Sequence, residues 1–310
     1  MPVSPRFDVL GLGVVAVDDL LYVDEYPPAD GKVRVRRRER QCGGLTGTAL
    51  VAAARLGSRC SYAGRLGDDE LSCFVMDRFR EEGIDLTYRV RCDEAWPGHS
   101  TIIVDQRHKT RTVFSSLDGA VAADPSRPEA ELIRAAGVLL IDHHGLEGTL
   151  RAVQIARQSG VGVVADFERD PGPPFDEVLA LTDHLILSEQ FARRLTGVQD
   201  PARAAEQLWR PDRRAVVVTG GSRGCWYVGP DAAQTRHFPA FSVEVVDTTG
   251  CGDVFHGAYA SALAGAKDLY ERIAVASAAA ALKATRPGGQ AGCPATGAVN
   301  AFLRARGFRV

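Results

Sequence analysis

Asp247-Thr248-Thr249-Gly250-Cys251-Gly252-Asp253, followed by Val254-Phe255-His256-Gly257-Ala258, is the stretch on which the reading of this chain turns. Two glycines flank a small residue, an acid stands at each end, and a helix-forming run follows at once. Consecutive backbone N–H groups at a helix start form a concavity that binds anions. Gly250, Cys251 and Gly252 would supply those donors. A carboxylate cannot hold the anion, so Asp253 is read as the base that takes a proton from whatever attacks it. The arrangement suits phosphoryl transfer, where catalysis is mostly positioning and charge stabilisation.

Upstream of that stretch, from about residue 130, apolar runs alternate with helical segments. Gly137–Ile141, Gly162–Ala165, His184–Leu187 and Ala215–Val218 read as buried strands, with helices at Thr149–Ser159 and Asp200–Trp209. Continuous apolar strands with helical crossovers predict an α/β fold, its central mostly parallel sheet covered by helices on both faces. Phe7–Gly13 reads as a further buried strand, Thr46–Leu56 as a helix closed by Gly57, and Leu71–Glu82 as an amphipathic helix. Cys225–Val228 and His237–Phe241 read as short strands, and Val254–Leu282 with Ala298–Arg306 as a C-terminal helical bundle. Four strand-like segments break the alternation: Leu20–Val23, Lys32–Val35, Ser100–Val104 and Thr110–Phe114, the last two forming a hairpin. They predict a small sheet set into the larger body. With no repeat or linker, residues 1–310 read as one domain.

The chain of 310 residues carries a net charge of -2, which gives no global electrostatic case for nucleic acid or a membrane as partner. The basic run Lys32–Arg40 reads as a solvated face. No apolar run reaches the roughly 18 residues that span a bilayer. Seven cysteines show neither a C-x-x-C pair nor zinc spacing, and the N-terminus has prolines and charges where a signal peptide is apolar. A reducing, cytoplasmic setting is the expectation.

The 247–253 stretch resembles the signature of the ribokinase-like (PfkB) carbohydrate kinases, D-T-x-G-A-G-D, with Cys251 in place of alanine. The resemblance runs nearly end to end and implies a ribokinase-like fold whose small sheet, from about 14–42 and 96–118, forms a lid over a sugar. It implies an ATP- and Mg2+-dependent sugar kinase. Asp18, following Gly13, would accept from sugar hydroxyls; Asp19 beside it reads as solvated. Gly43-Gly44 would let the backbone approach the sugar, with Thr48 where relatives often carry asparagine. Asp142, at a strand end, matches an acidic sugar contact; His143 and His144 after it read as pointing opposite ways. Arg65 in Gly64–Asp69 reads as structural.

For the nucleotide, the resemblance implies Thr219, Gly221 and Gly224 of a T-x-G-x-x-G turn, with Ser188 and Gly288. Phe191 stands where relatives carry glutamate, so either Glu189 meets magnesium through water or the ion is held mainly by ATP and water. Asp247 and Thr249 would shape the loop and help hold a monovalent cation such as K+. Lid edges in relatives often pair, so a homodimer through the lid sheet is expected. The C-terminal stretch 281–292 looks most like sulfofructose kinases and, more distantly, ketohexokinases.

Three rival readings compete with this one. Gly11-Leu12-Gly13-Val14-Val15-Ala16 fits the G-x-G-x-x-A of an NAD-dependent oxidoreductase, but that fingerprint needs a helix directly after the glycines, and a strand is predicted there. A catalytically silent sugar-binding regulator would not need both Asp247 and Asp253. A nucleoside kinase would share the fold.

Overall fold

A computed structural model describes residues 6–119, 121–230 and 234–309. In chain order the first elements are β1 (Phe7–Leu12), β2 (Ala16–Val23), β3 (Arg37–Gly43), α1 (Leu45–Arg55), β4 (Cys60–Tyr62), β5 (Arg65–Leu66), α2 (Glu70–Glu81) and β6 (Val90–Arg91). Then come β7 (Gly98–Asp105), β8 (Thr110–Ser116), α3 (Ala130–Arg134), β9 (Ala136–Asp142), α4 (Leu146–Gln158), β10 (Gly162–Phe167), α5 (Phe175–Leu181) and β11 (His184–Ser188). The chain continues through α6 (Glu189–Thr196), α7 (Pro201–Leu208), β12 (Ala215–Thr219), β13 (Cys225–Val228), β14 (Arg236–Phe238), α8 (Cys251–Ala264), α9 (Leu269–Ala284) and α10 (Thr296–Arg304).

The large sheet runs β14-β13-β12-β11-β10-β9-β1-β4. Its strands from β12 to β4 are parallel, and β13 and β14 return antiparallel. Alternate strand residues feed two cores. Val9, Val138, Leu140, Val164, Ile186 and Val217 face α1, α8 and α9. Leu10, Leu139, Ile141, Val163, Leu185 and Val216 lie in the core that holds Val153 of α4, Val178 of α5 and Ala205 of α7. The fully apolar strands of the sequence follow from that double burial. Their C-terminal ends put Gly13, Asp142, Phe167, Ser188 and Thr219 along one edge, the edge where open α/β sheets bind ligands.

The small sheet has the order β3-β2-β7-β8. The strand expected at Lys32–Val35 lies instead at Arg37–Gly43, because β2 pairs from Ala16↔Gly43 to Tyr22↔Arg37 and then runs out. The segment from Asp24 to Arg36 turns around Pro27-Pro28 and is tied back by Arg36 to Asp24. After Gly13 the chain enters β2 rather than a helix, as the exclusion of a dinucleotide fingerprint requires. The C-terminal bundle opens earlier than read, at Cys251, and breaks at Gly265; Asp268 starts α9 with a reciprocal capping box to Glu271. Among the described residues, no helix is long and apolar enough to cross a membrane.

Candidate active site

Gly250 caps α8 at φ 76°, a left-handed conformation that glycine adopts without strain. The turn before it is built by Asp247, whose Oδ1 accepts from the Thr249 N–H at 2.8 Å and whose Oδ2 accepts from the Gly288 N–H at 2.8 Å. Burial alone would raise the Asp247 pKa, but those bonds and the Lys283 charge outweigh it and hold the carboxyl low. Of the three expected donors, the Cys251 N–H turns to the Thr248 carbonyl at 3.2 Å. The N–H groups of Gly250 and Gly252 have no acceptor among the described residues. A Cβ on Gly252 would meet nothing within 4 Å, and the same holds at Gly289. The helix start therefore opens onto free space.

Asp253 lies half-buried in the first turn of α8. Burial pushes its carboxyl well above the ordinary carboxylate value, and the charges of Asp166, Glu168 and Asp142 push the same way. Asp166 is raised well above that value too, by burial first and then by Glu168 and Asp142. Asp166 and Asp142 are register partners on β10 and β9. His256, one turn along α8 from Asp253, is buried beneath them. Its Nδ1 contacts the Gly252 carbonyl at 2.8 Å and its Nε2 the Ile186 carbonyl at 3.1 Å. A neutral imidazole has one proton, and the shorter contact puts it on Nδ1. Asp166 Oδ2 lies 3.1 Å from that nitrogen yet makes no hydrogen bond.

The expected sugar side is assembled around Gly43 and Gly44. A Cβ on Gly43 would sit 2.7 Å from Asp18 Oδ2. Asp18 is raised by burial, against which a hydrogen bond from Ser100 and the charges of His99 and Arg111 act. Asp19, read as solvated, is instead bound by Arg40 at 2.7 Å and His99 at 2.8 Å. Thr48 is buried on α1, its methyl 3.5 Å from where a Gly250 side chain would start. Asp142 departs from its expected role. It is fully buried; Oδ2 accepts from the Val14 N–H (2.7 Å) and Thr46 hydroxyl (2.8 Å), and Oδ1 from the His144 N–H (2.9 Å). Those bonds make it a brace between β9, the β1–β2 turn and α1. The strand ends at Asp142, so the chain bends and brings the His143 and His144 rings to 4.3 Å rather than pointing them apart. Burial, then the charges of His144 and Arg169, lower His143 to about 3. Arg65 pairs with Asp124 at 2.9 Å.

A family model for pfkB family carbohydrate kinases matches residues 12–296. The chain belongs to that family. A ribokinase of Haemophilus influenzae is 28% identical over 293 residues, 91% of this chain and 94% of that protein. Fructokinase-1 of Oryza sativa subsp. japonica is 30% identical over 287 residues, 79% of this chain and 83% of that one. The structure of an Arabidopsis thaliana ribokinase complexed with ribose and ATP covers 97% of this chain and 99% of its own. Its TM-score is 0.85 at 22% identity, a likeness of fold.

At the residues expected for the nucleotide in this pfkB family member, Thr219 ends β12 and its hydroxyl donates to the Leu187 carbonyl at 3.3 Å. Gly221 and Gly224 take φ 59° and 87° in the turn that follows. Gly224 has no room for a side chain, since a Cβ would come 2.7 Å from Ala240 N. The Ser188 hydroxyl caps α6 by accepting from the Phe191 N–H at 3.2 Å. Glu189 pairs with Arg223, which lies over the Trp226 ring, so its charge is already met. Phe191 is buried against Phe175, with the Arg194 guanidinium over its ring. Gly288 donates to Asp247 and so locks two loops together.

As to the expected magnesium, no group of three or more His, Cys, Asp or Glu among the described residues is arranged to hold a metal ion alone. The unbonded Asp166 oxygen beside Asp253 suits a magnesium that keeps its waters and arrives on phosphates. The place expected for K+ does not fit an ion, because the ammonium of Lys283 fills it, 2.7 Å from the Asp247 carbonyl. Sequence reading missed Asp166, His256, Lys283 and Arg111. Asp166 was open to discovery, as the acid ending the apolar run of β10; Lys283 reads as an ordinary helix-end lysine and Arg111 as a hairpin charge.

Proposed function

We propose that this kinase transfers the γ-phosphoryl group of ATP to a hydroxyl of a small sugar or sugar derivative, with Asp253 as general base. One observation carries the reading: two free N–H groups at the start of α8 open onto space one residue away from a carboxylate whose proton affinity is raised. An ordinary aspartate, at about 3.9, is a weak base for a sugar hydroxyl. Burial, and after it crowding by Asp166 and Glu168, makes Asp253 a stronger one. In a loose transition state the proton leaves late, and Asp253 chiefly orients the hydroxyl. The Gly250 and Gly252 N–H groups meet charge that develops on the transferred phosphoryl, each worth roughly 3 kcal/mol by analogy with oxyanion donors. Magnesium, when bound, would supply charge neutralisation at the phosphates, and Asp166 with its unbonded oxygen would meet its waters. Asp18 and the backbone at Gly43-Gly44 bind sugar hydroxyls; Thr48 lines the floor; Thr219, Gly221 and Gly224 border the nucleotide.

Ribokinase and fructokinase relatives support a small neutral sugar as acceptor. Arg169, whose charge reaches His143 and His144, favours a second reading, a sugar bearing an acidic group. A coupled ADP-release assay over ribose, fructose, sugar phosphates, sulfofructose and nucleosides, with Asp253→Asn as control, tests both. A sugar-dependent signal lost in the variant supports the assignment; ADP release equal in both proteins overturns it.

We also infer a homodimer through the lid. β8 is an edge strand with Val113 and Phe114 exposed at 50% and 54%. An unpaired apolar edge is a pairing surface. Light scattering should give twice the chain mass, falling to one with Phe114→Asp; a monomeric wild type removes the proposal. Seven free thiols support a reducing, cytoplasmic setting.

A further inference from the structure

We propose that the ε-ammonium of Lys283 is a built-in monovalent cation for the phosphoryl site, so that this kinase runs without potassium. The inference rests on the phosphoryl-transfer reading of the 250–253 loop. Lys283 lies in the last turn of α9 and is fully buried, at 0% exposure. A buried ammonium is costly unless hydrogen-bonded and paired. Here its Nζ donates to the Asp247 carbonyl at 2.7 Å and the Arg286 carbonyl at 3.3 Å, and the Asp247 Oδ2 lies 3.6 Å away.

Carbonyl and carboxylate oxygens converging from two loops form the kind of cage that strips and holds a monovalent cation. Lysine places the same single charge in that cage through a tether. The neighbourhood makes room for it: a Cβ on Gly292 would come 3.0 Å from Lys283 Cε. The alternative ligand, the Thr249 hydroxyl, is engaged by Arg111 of the lid. The ammonium is therefore positioned to do two things. It fixes the Asp247 carbonyl, and with it the turn that presents the Gly250 and Gly252 N–H groups. It also adds positive charge behind those donors, where it acts on neighbouring Cys251 as well.

A tethered cation cannot exchange, and this separates it from an ion. Lys283 is a positioning residue, and cation rescue is a readout that a purely structural role would not move. Turnover of the wild type should agree within about twofold in K+, Na+ and tetramethylammonium chloride at equal ionic strength, since the charge is already in place. Lys283→Ala should lose tenfold or more in tetramethylammonium and regain most of it, saturably, with K+ or NH4+. Lys283→Met, which fills the space without charge, should stay low in every salt. Activation of the wild type by K+ well beyond twofold overturns the proposal, and so does a folded Lys283→Ala that is fully active or deaf to K+ and NH4+. If Lys283→Ala does not fold in any salt, the wild-type comparison still decides.

Thermal melts with MgADP provide a second readout that does not depend on finding the sugar. K+ should raise the Tm of Lys283→Ala and leave that of the wild type unchanged relative to tetramethylammonium. Failure of the kinase reading would appear as no turnover with any acceptor while this cation response persists. Failure of the Lys283 inference would appear as a wild-type melt that itself responds to K+.

Discussion

Asp166 stands opposite Asp142 in the register of two neighbouring parallel strands, and its carboxylate presses on Asp253 from the sheet side. Asp142 is quenched by three hydrogen bonds, whereas Asp166 keeps an oxygen without any. Burial is the first cause of the raised proton affinity of Asp253, and Asp166 at the sheet edge, next to the foot of α8, adds to it.

The first consequence concerns pH. A base works ionised, so kcat/KM should fall on the acid side at a pH above the ordinary carboxylate range, since burial and like charges raise Asp253. Asp166→Asn removes one of those charges and should move the acid limb to lower pH. A limb that stays in place would show that Asp253 does not set it.

The same shift has a cost in stability. A group whose folded pKa lies above its unfolded value stabilises the fold below the unfolded pKa and loses that contribution as pH rises through the folded one. At neutral pH the Asp253 carboxylate is therefore a burden on the folded, unliganded chain. Asp253→Asn should abolish turnover while raising Tm by about 2 °C or more, on the scale where 1 kcal/mol moves a large domain a few degrees. A scanning-calorimetry comparison at neutral pH and near pH 4 checks the sign: the gain should shrink in acid. A lower Tm for the variant at neutral pH would contradict the crowding argument.

Two glycines separate catalysis from folding. Gly252→Val puts a side chain into open space, so stability should stay within about 0.5 kcal/mol. Turnover should drop about 100-fold or more, because the phosphoryl position is filled. Gly44→Ala is the opposite case. At φ 87° its Cβ would come 2.6 Å from the Val14 carbonyl oxygen and Val15 Cα, so it should destabilise by about 3 kcal/mol. Urea titration beside kinetics distinguishes the two; equal behaviour would remove the distinction.

The strands at β9 to β12 were legible because double burial leaves only apolar residues to write them, and the α8 start because its glycines meet a backbone requirement. The lid strand was displaced, since in a run such as Lys32–Arg40 alternation carries no register and only pairing with β2 chooses Arg37–Gly43. Asp142 as a brace is not legible because sequence places an acid at a strand end but not its hydrogen bonds. Lys283 was invisible for a related reason: burial of a lysine comes from the oxygens around it, and those belong to residues 247 and 286.

Asp18 and Arg111 meet at the mouth of the site from different strands of the lid, and each should report on sugar rather than on ATP. Asp18 is half-buried beside Gly43, and the charge of Arg111 helps keep its carboxyl ionised against burial. Arg111 also reaches Thr249, so one residue of β8 acts on both Asp18 and the loop before α8. Asp18→Ala should raise the sugar KM about tenfold or more with little change in the ATP KM, as loss of a charged acceptor of about 1.5–3 kcal/mol predicts. Arg111→Ala should raise the sugar KM less and increase ATP hydrolysis in the presence of sugar, because a loosened lid admits water. Steady-state kinetics with both substrates varied, alongside phosphate release, reads both effects. An ATP KM that rises more than the sugar KM in Asp18→Ala would move that carboxylate out of the sugar site.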